Sequence, residues 1–572
     1  MSRDISFRRK VIYVTAIALL LYPLYRLGQP ATHTSPGGML AQLRAEHNLA
    51  QAELGEIDPA SETMKLATLG MRPFAVIMLW EKSNEYKMKE DWDNFSATLN
   101  QITKLQPNFI TVWEFQAHNL AYNISVNFDD YRHRYHWVKR GINFLVDGTY
   151  YNRENPRLLH QVGWITGQKI GRADERVQFR EMFRDDNDFH DEINREVVVD
   201  EALGYDGRPD NWLVGRLWYQ RAQSAVDTRG MPLRGKSPLI FHSDNPMSLI
   251  NYASTIAEEG ILGETAMRAW REAEGGWEEF GRRQIPTSWG HPVRLAEYEQ
   301  INQDIENLVQ QLDQLLPGQR ERLEQEKLDS LTPDQRHVLA MAETQIEELT
   351  DDEFTMLFEV RELTEVTHAE VAEQGEGELR DRARQLAARL EDLGHYSRRT
   401  SQYRSIVNYE YWGTRCEAEQ TRTAVDAREN LYQAQQLHDA AALEDARELY
   451  EKAWHQWRSL YDSFPRLMDD VAADDLATAI GRYGRLLQQL DETIPEDFPL
   501  YDFLARRGDR GDLDEFLREV IRNIPAEHLE QAQADTDPAE EPSPETVEEP
   551  ESETVEEPSP ETVEEPESDT TD

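Results

Sequence analysis

Four stretches of the chain carry residue types at spacings suited to chemistry. Gly230-Met-Pro-Leu-Arg-Gly235-Lys236-Ser237 satisfies G-x-x-x-x-G-K-S, in which loop amides and a lysine cradle phosphates. That chemistry needs a buried strand before the loop and a helix after it, whose N-terminus faces the phosphate. Here Trp218 to Val226 has a helical pattern, and Pro238 to Pro246 reads as too short and broken for the helix. An ordered surface loop is the expectation. Asp185-Asp-Asn187-Asp-Phe189-His190, with Glu196 at the twelfth position, mimics a calcium loop. Phe189 stands where an oxygen is needed and His190 where a glycine must turn the chain, so a solvated acidic loop is expected.

The third stretch pairs His133 with His136 on one predicted helix, with His118 in the helix before and His160 in the one after. Two such imidazoles hold zinc or iron only when a third group closes the site, and no H-E-x-x-H, acidic triad or nearby cysteine accompanies them. They are the candidates of an alternative reading, an envelope iron- or zinc-binding protein or enzyme, in which residues 233–246 also take part. The fourth stretch is the same helix read by charge. Arg132, Arg134, Lys139 and Arg140 form a basic island among aromatics, suited to an acidic peptide, anionic headgroups or the chain's own tail. Local pairing with Asp129 and Asp130 is the competing expectation. For nucleophilic catalysis no G-x-S-x-G occurs, Cys416 has no neighbouring histidine, and His242-Ser-Asp244 lacks a strained elbow. No catalytic, metal or cofactor-binding residue is assigned, and no cofactor is expected.

The elements that position these groups follow from composition. The 572 residues hold 108 Asp and Glu against 61 Lys and Arg, a net charge of -47, so nucleic acid would be repelled and is not expected as a partner. One cysteine excludes an internal disulfide framework and any Cys-based zinc site. The charge is concentrated at the end: residues 535–572 contain 17 acidic side chains and no basic one, in repeating octads such as Glu540 to Val547. Residues 531–572 therefore read as a disordered acidic tail: a solvated spacer, a counter-charge for a basic partner or divalent cations, or a weak, salt-sensitive cover for the basic helix.

At the other end, residues 1–10 are a basic cytoplasmic flank carrying Arg3, Arg8, Arg9 and Lys10. Val11 to Tyr25 then runs without a charge. Residues 11–27 read as an uncleaved transmembrane signal anchor, with a cleaved signal peptide as the competitor. The basic side precedes the span, which puts the bulk of the chain outside the cytoplasm, on the periplasmic side. Residues 28–63 form a polar stalk.

Residues 64–290 are dense in tryptophan, from Trp80 to Trp289, whereas residues 291–400 are rich in Glu, Gln, Leu and Arg. Within the latter, Tyr298, Ile301, Ile305, Leu308, Leu312 and Leu315 form an a/d seam that Pro317-Gly318 ends. Breaks this frequent favour an intramolecular antiparallel hairpin, and coiled-coil self-association through the same seam stays open. Two folded regions separated by this rod are expected, the second being residues 401–530.

Leu79, Tyr86, Leu99, Ile102 and Pro107, then Trp113 and Ala117, fall at the offsets of a 34-residue helix–turn–helix unit. Ala434, Leu437, Ala446, Tyr450 and Ala453 repeat the pattern, with Pro465 late and its helix lengthened. On these residues the chain resembles the tetratricopeptide repeat (TPR) family, which implies an α-solenoid with concave faces for protein segments. Leu233 to Pro246, followed by Asn251-Tyr252-Ala253 and Glu258-Glu-Gly260, is similar to membrane-anchored TPR-like proteins of planctomycete-type bacteria, which implies an envelope location. The expected fold is all-α: anchor, helical-repeat domain, helical rod, second repeat domain and acidic tail. The expected function is a membrane-tethered scaffold that binds unidentified proteins through its grooves.

Overall fold

The computed structural model describes Gly38, Met39, Gln42 and residues 72–524, apart from 234, 289, 345–348, 469–473, 508–514 and 523. The anchor, nearly all of the stalk and the acidic tail lie outside the described residues. Among the described residues the chain is helical throughout, with two isolated antiparallel bridges, Leu203 to Pro209 and Ile285 to Val293, and no strand. The all-α expectation holds for them.

The helices begin with α1 (Arg72–Met88) and α2 (Trp92–Leu105), which pack as a pair. Leu99 and Ile102 are buried there, and Leu79 and Tyr86 lie against the same core. Trp113 on α3 (Ile110–His118) donates its indole N–H to the Pro107 carbonyl at 2.9 Å, which satisfies the indole and fixes the turn before the helix. α4 (Tyr131–Tyr151) and α5 (Pro156–Trp164) follow, α5 continuing through a π-helical turn, Ile165–Lys169. Then come α6 (Arg176–Asp185), α7 (Asn187–Ile193), α8 (Asn211–Asp227), α9 (Pro238–Glu258) and α10 (Glu264–Arg282). Where α5 crosses α8, Gly163 meets Gly215: a Cβ on Gly163 would stand 2.7 Å from the Gly215 carbonyl oxygen. Only glycine lets two backbones approach this closely.

Two sequence expectations are corrected here. Residues 238–258 are one helix, not a broken segment, despite Pro246 inside it. Proline supplies no N–H to the carbonyl four residues back. That carbonyl, of His242, instead accepts from the Gln223 amide at 3.3 Å. Burial of Phe241, Leu249, Ile250, Ala253 and Ile256 holds the helix together around the gap. The acidic 185–190 stretch is likewise helical: Asp186 caps α7 by accepting from Phe189 N at 3.2 Å, and both Phe189 and His190 are buried.

The rod comprises α11 (Tyr298–Leu315), α12 (Gln319–Ser330), α13 (Pro333–Thr344), α14 (Asp351–Thr364), α15 (His368–Glu373) and α16 (Gly377–Ile406). α11 and α16 run antiparallel. Arg404 meets Glu299 at 2.7 Å and Ser397 meets Asn302 at 2.6 Å near one end, while Leu308, Leu312 and Leu316 pack with Val371, Ala383, Ala387 and Leu390 further along. The heptad seam thus closes within the chain, with Ile301, Leu308 and Leu312 buried. Thr350 and Glu353 form a reciprocal capping box at the start of α14.

The chain then returns through α17 (Tyr409–Glu419), α18 (Arg422–Asp439), α19 (Leu443–Ser463), α20 (Asp474–Gln489), α21 (Tyr501–Arg507) and α22 (Glu515–Arg522). Here the arrangement departs from two regions held apart by a rod. α17 packs directly on α10: Trp277 donates to the Tyr409 carbonyl at 2.9 Å, and Trp270, Trp277, Phe280, Val407 and Cys416 share one core. The rod is an insertion between two helices that touch. Arg404 fastens its root, bonded to the Leu295 carbonyl, Glu299 and Glu410 at 2.7 Å each and lying over the rings of Tyr298 and Tyr409. In α18 and α19, Ala434, Ala446, Tyr450 and Ala453 are buried between the two helices, and α19 reaches Ser463 before Pro465 opens a 3-10 turn.

Candidate functional site

The basic helix α4 starts at Asp130, whose carboxylate accepts from Arg132 N at 2.7 Å. Its period places Tyr135, Val138, Ile142 and Leu145 in the core and Arg132, His136 and Arg140 in a row on the other side. The structure divides the four basic candidates. Arg134 pairs with Glu175 and with the Phe128 carbonyl. Lys139 pairs with Asp186 at 2.8 Å, to which Tyr135 Oη also donates at 3.2 Å. Arg132 stays exposed with a loose contact to Asp130 at 3.5 Å, and Arg140 lies over the Trp137 ring at 5.0 Å. Local pairing accounts for Arg134 and Lys139, through Glu175 and Asp186 rather than Asp129. Beside this row is a cleft of about 490 Å³, lined by Arg132, His136 and Lys139 on α4 and by Glu181, Asp185 and Asp186 from α6 onward. Arg208 covers Glu181 and Asp185 at 2.8 Å each, so charge in the cleft is nearly balanced.

The candidate metal histidines do not converge. His118 stacks on Tyr122 at 4.6 Å, His133 lies near Phe128, and His136 stands edge-on to Trp137. Burial, then the cations Arg140 and Lys139, lower the His136 pKa; burial and Lys169 lower that of His118. Among the described residues no three His, Cys, Asp or Glu side chains are grouped to hold a metal ion. Cys416 is buried, and that burial raises its thiol to about 12. Among the described residues, no helix is long and apolar enough to cross a membrane.

Sequence reading missed two buried networks. In the first, Lys236 Nζ donates to His160 Nδ1 at 3.0 Å, and His160 Nε2 meets Asp244 at 2.7 Å. The lysine fixes the tautomer: Nδ1 must accept, so Nε2 carries the proton and donates to the carboxylate. Phe241 and Tyr219 rings flank the imidazole, and burial lowers its pKa. Close by, Arg157 holds Glu114 at 2.7 Å. The lysine of the phosphate-loop pattern is therefore spent on the fold. A helix does follow the pattern, but α8 rather than a strand precedes it.

The second network joins Arg180 and Arg184 of α6 to Asp210 and Glu259. Arg180 bonds Glu259 at 2.8 Å and Asp210 at 2.9 Å, and Arg184 bonds Glu259 at 2.8 Å. Asp210 also caps α8 through Trp212 N at 2.9 Å, so one carboxylate ties α6 to the start of α8. No spacing in the sequence points from Glu259 to arginines 75 to 79 residues away. Comparison with protein-family models, curated proteins and solved structures finds no match.

Beyond these polar sites, α1 and α14 group exposed apolar side chains at helical spacing. Phe74, Ile77 and Met78 form an i, i+3, i+4 row on α1, with Phe74 62% exposed. Phe354 and Phe358 stand one turn apart on α14, their rings 5.5 Å from each other, with Phe358 55% exposed.

Proposed function

We propose that the protein is a membrane-anchored, extracytoplasmic helical-repeat scaffold of the TPR-like α-solenoid kind, binding other proteins through its helix faces. The observation that carries this reading is the pair of exposed apolar rows on α1 and α14. Contiguous apolar side chains left in water on a folded surface mark sites of contact. The row of exposed Arg132 and His136 with half-buried Arg140 supplies a charged face suited to an anionic partner. The uncharged run from Val11 to Tyr25 behind Arg8, Arg9 and Lys10 supplies the tether. Full-length protein is expected to sediment with membranes and a chain lacking residues 1–28 to stay in the supernatant. A truncated chain that still pellets would contradict the tether. Stoichiometric iron or zinc in the purified full-length protein would replace the scaffold with the metal-binding alternative.

A further inference from the structure

α14 has two faces. Leu357 and Val360 are buried beneath it, alongside Val338 of α13, so the helix is already seated on its own hairpin. Phe354 and Phe358 on one flank of that buried stripe, and Leu363 on the other, stay in water. The helix does not need these side chains for its own packing.

Their surroundings select a partner. Residues 319–373, from α12 to the end of α15, hold 16 acidic and five basic side chains. Of those five, Arg320 is held by Asp313 at 2.9 Å and Lys327 by Glu370 at 2.9 Å. On α14 itself exposed Asp352, Glu359 and Glu362 lie on the solvent side of the aromatic pair, with Arg361, one turn beyond Phe358, the one cation of that helix. A second copy docking here would bring the same acids together, and like charges across an apolar contact disfavour that pairing. A partner helix with apolar residues on one face and Lys or Arg at its margins meets both features, seating its apolar row on the phenylalanines and its cations on the rim.

Resting on the scaffold reading, we infer that α14 is the docking surface for a basic amphipathic helix of a partner protein. The apolar pair supplies the anchor. The acidic rim steers the approach and fixes the sign of the partner's charge.

The test uses full-length protein in zwitterionic nanodiscs, with empty discs as the blank. The probes are a short synthetic Leu/Lys amphipathic helix and its Leu/Glu counterpart, followed by fluorescence anisotropy. The Leu/Lys helix is expected to bind and the Leu/Glu helix not to. Combining Phe354→Ser with Phe358→Ser leaves every charge in place and is expected to weaken binding at least about tenfold, as loss of an anchoring pair does. Both side chains are exposed, so the thermal melt should be unchanged; Val177→Ser on α6, exposed and outside both apolar rows, serves as the control and should bind like wild type. Equal affinity in the double variant would overturn the inference, as would equal binding of the Leu/Glu helix. A wild-type dimer that the double variant dissociates would also overturn it, naming a second copy as the occupant. If Ile77→Ser on α1 weakens binding and the α14 variant does not, this inference fails while the scaffold reading stands.

Discussion

His160 is the most consequential single side chain in the body of the protein. Its imidazole links Lys236 to Asp244, joining α5 to the loop before α9 and to α9 itself, and it is neutral because Nδ1 must accept from an ammonium. Burial holds its pKa below the ordinary histidine range, and burial brings His242 down to about 4. A base with a depressed folded-state pKa stabilises the fold fully above its unfolded pKa of about 6.5, and that contribution is lost as pH falls toward the folded value. The histidine contribution is therefore expected to fall between about pH 6.5 and 4, His242 accounting for about 3 kcal/mol at roughly 1.4 kcal/mol per unit, while Asp147, raised to about 6 by burial, works in the opposite direction over the same range. Protonated His160 would also turn an N–H toward the Lys236 ammonium, adding repulsion. Chemical denaturation at stepped pH checks this, and the His242→Phe variant should flatten the slope. A pH dependence that is identical in wild type and His242→Phe would contradict the assignment.

At the scale of elements, backbone approach matters as much as side-chain packing. Gly163 and Gly215 let α5 and α8 touch, and Gly163→Ala would drive a methyl against the Gly215 carbonyl oxygen. The helices would have to separate, at about 1–3 kcal/mol, the usual cost of overfilling a packed contact. Gly275→Ala on α10, where an added Cβ meets nothing, should be neutral or slightly stabilising and serves as the control for the unfolding experiment. What sequence made legible at this scale was local. The heptad of α11 carries its own period, and Thr350 with Glu353 announces the start of α14. The helix α9 was missed because Pro246 is a local breaker, whereas Gln223, 19 residues before His242, repairs the break. The two polar networks were illegible for the same reason: their members come from separate helices, and no spacing in the chain points from one to the other.

At the largest scale, the described residues form a run of packed helices with an antiparallel hairpin inserted between α10 and α17. Composition showed the rod as a region without tryptophan, yet could not show that the chain on either side closes into one core through Trp277, Tyr409 and Cys416. That contact depends on Gly281, where an added Cβ would stand 1.8 Å from Tyr409 Oη, a fit visible only with both helices in place. The scaffold reading is tested most directly by site-specific photocrosslinking in native membranes. A benzoyl-phenylalanine is placed at Ile77 or Phe358, and at Arg422, which is 78% exposed, as a polar control. Discrete adducts at Ile77 or Phe358, absent at Arg422, are the predicted result. Adduct patterns at both apolar positions that match the Arg422 control would contradict it.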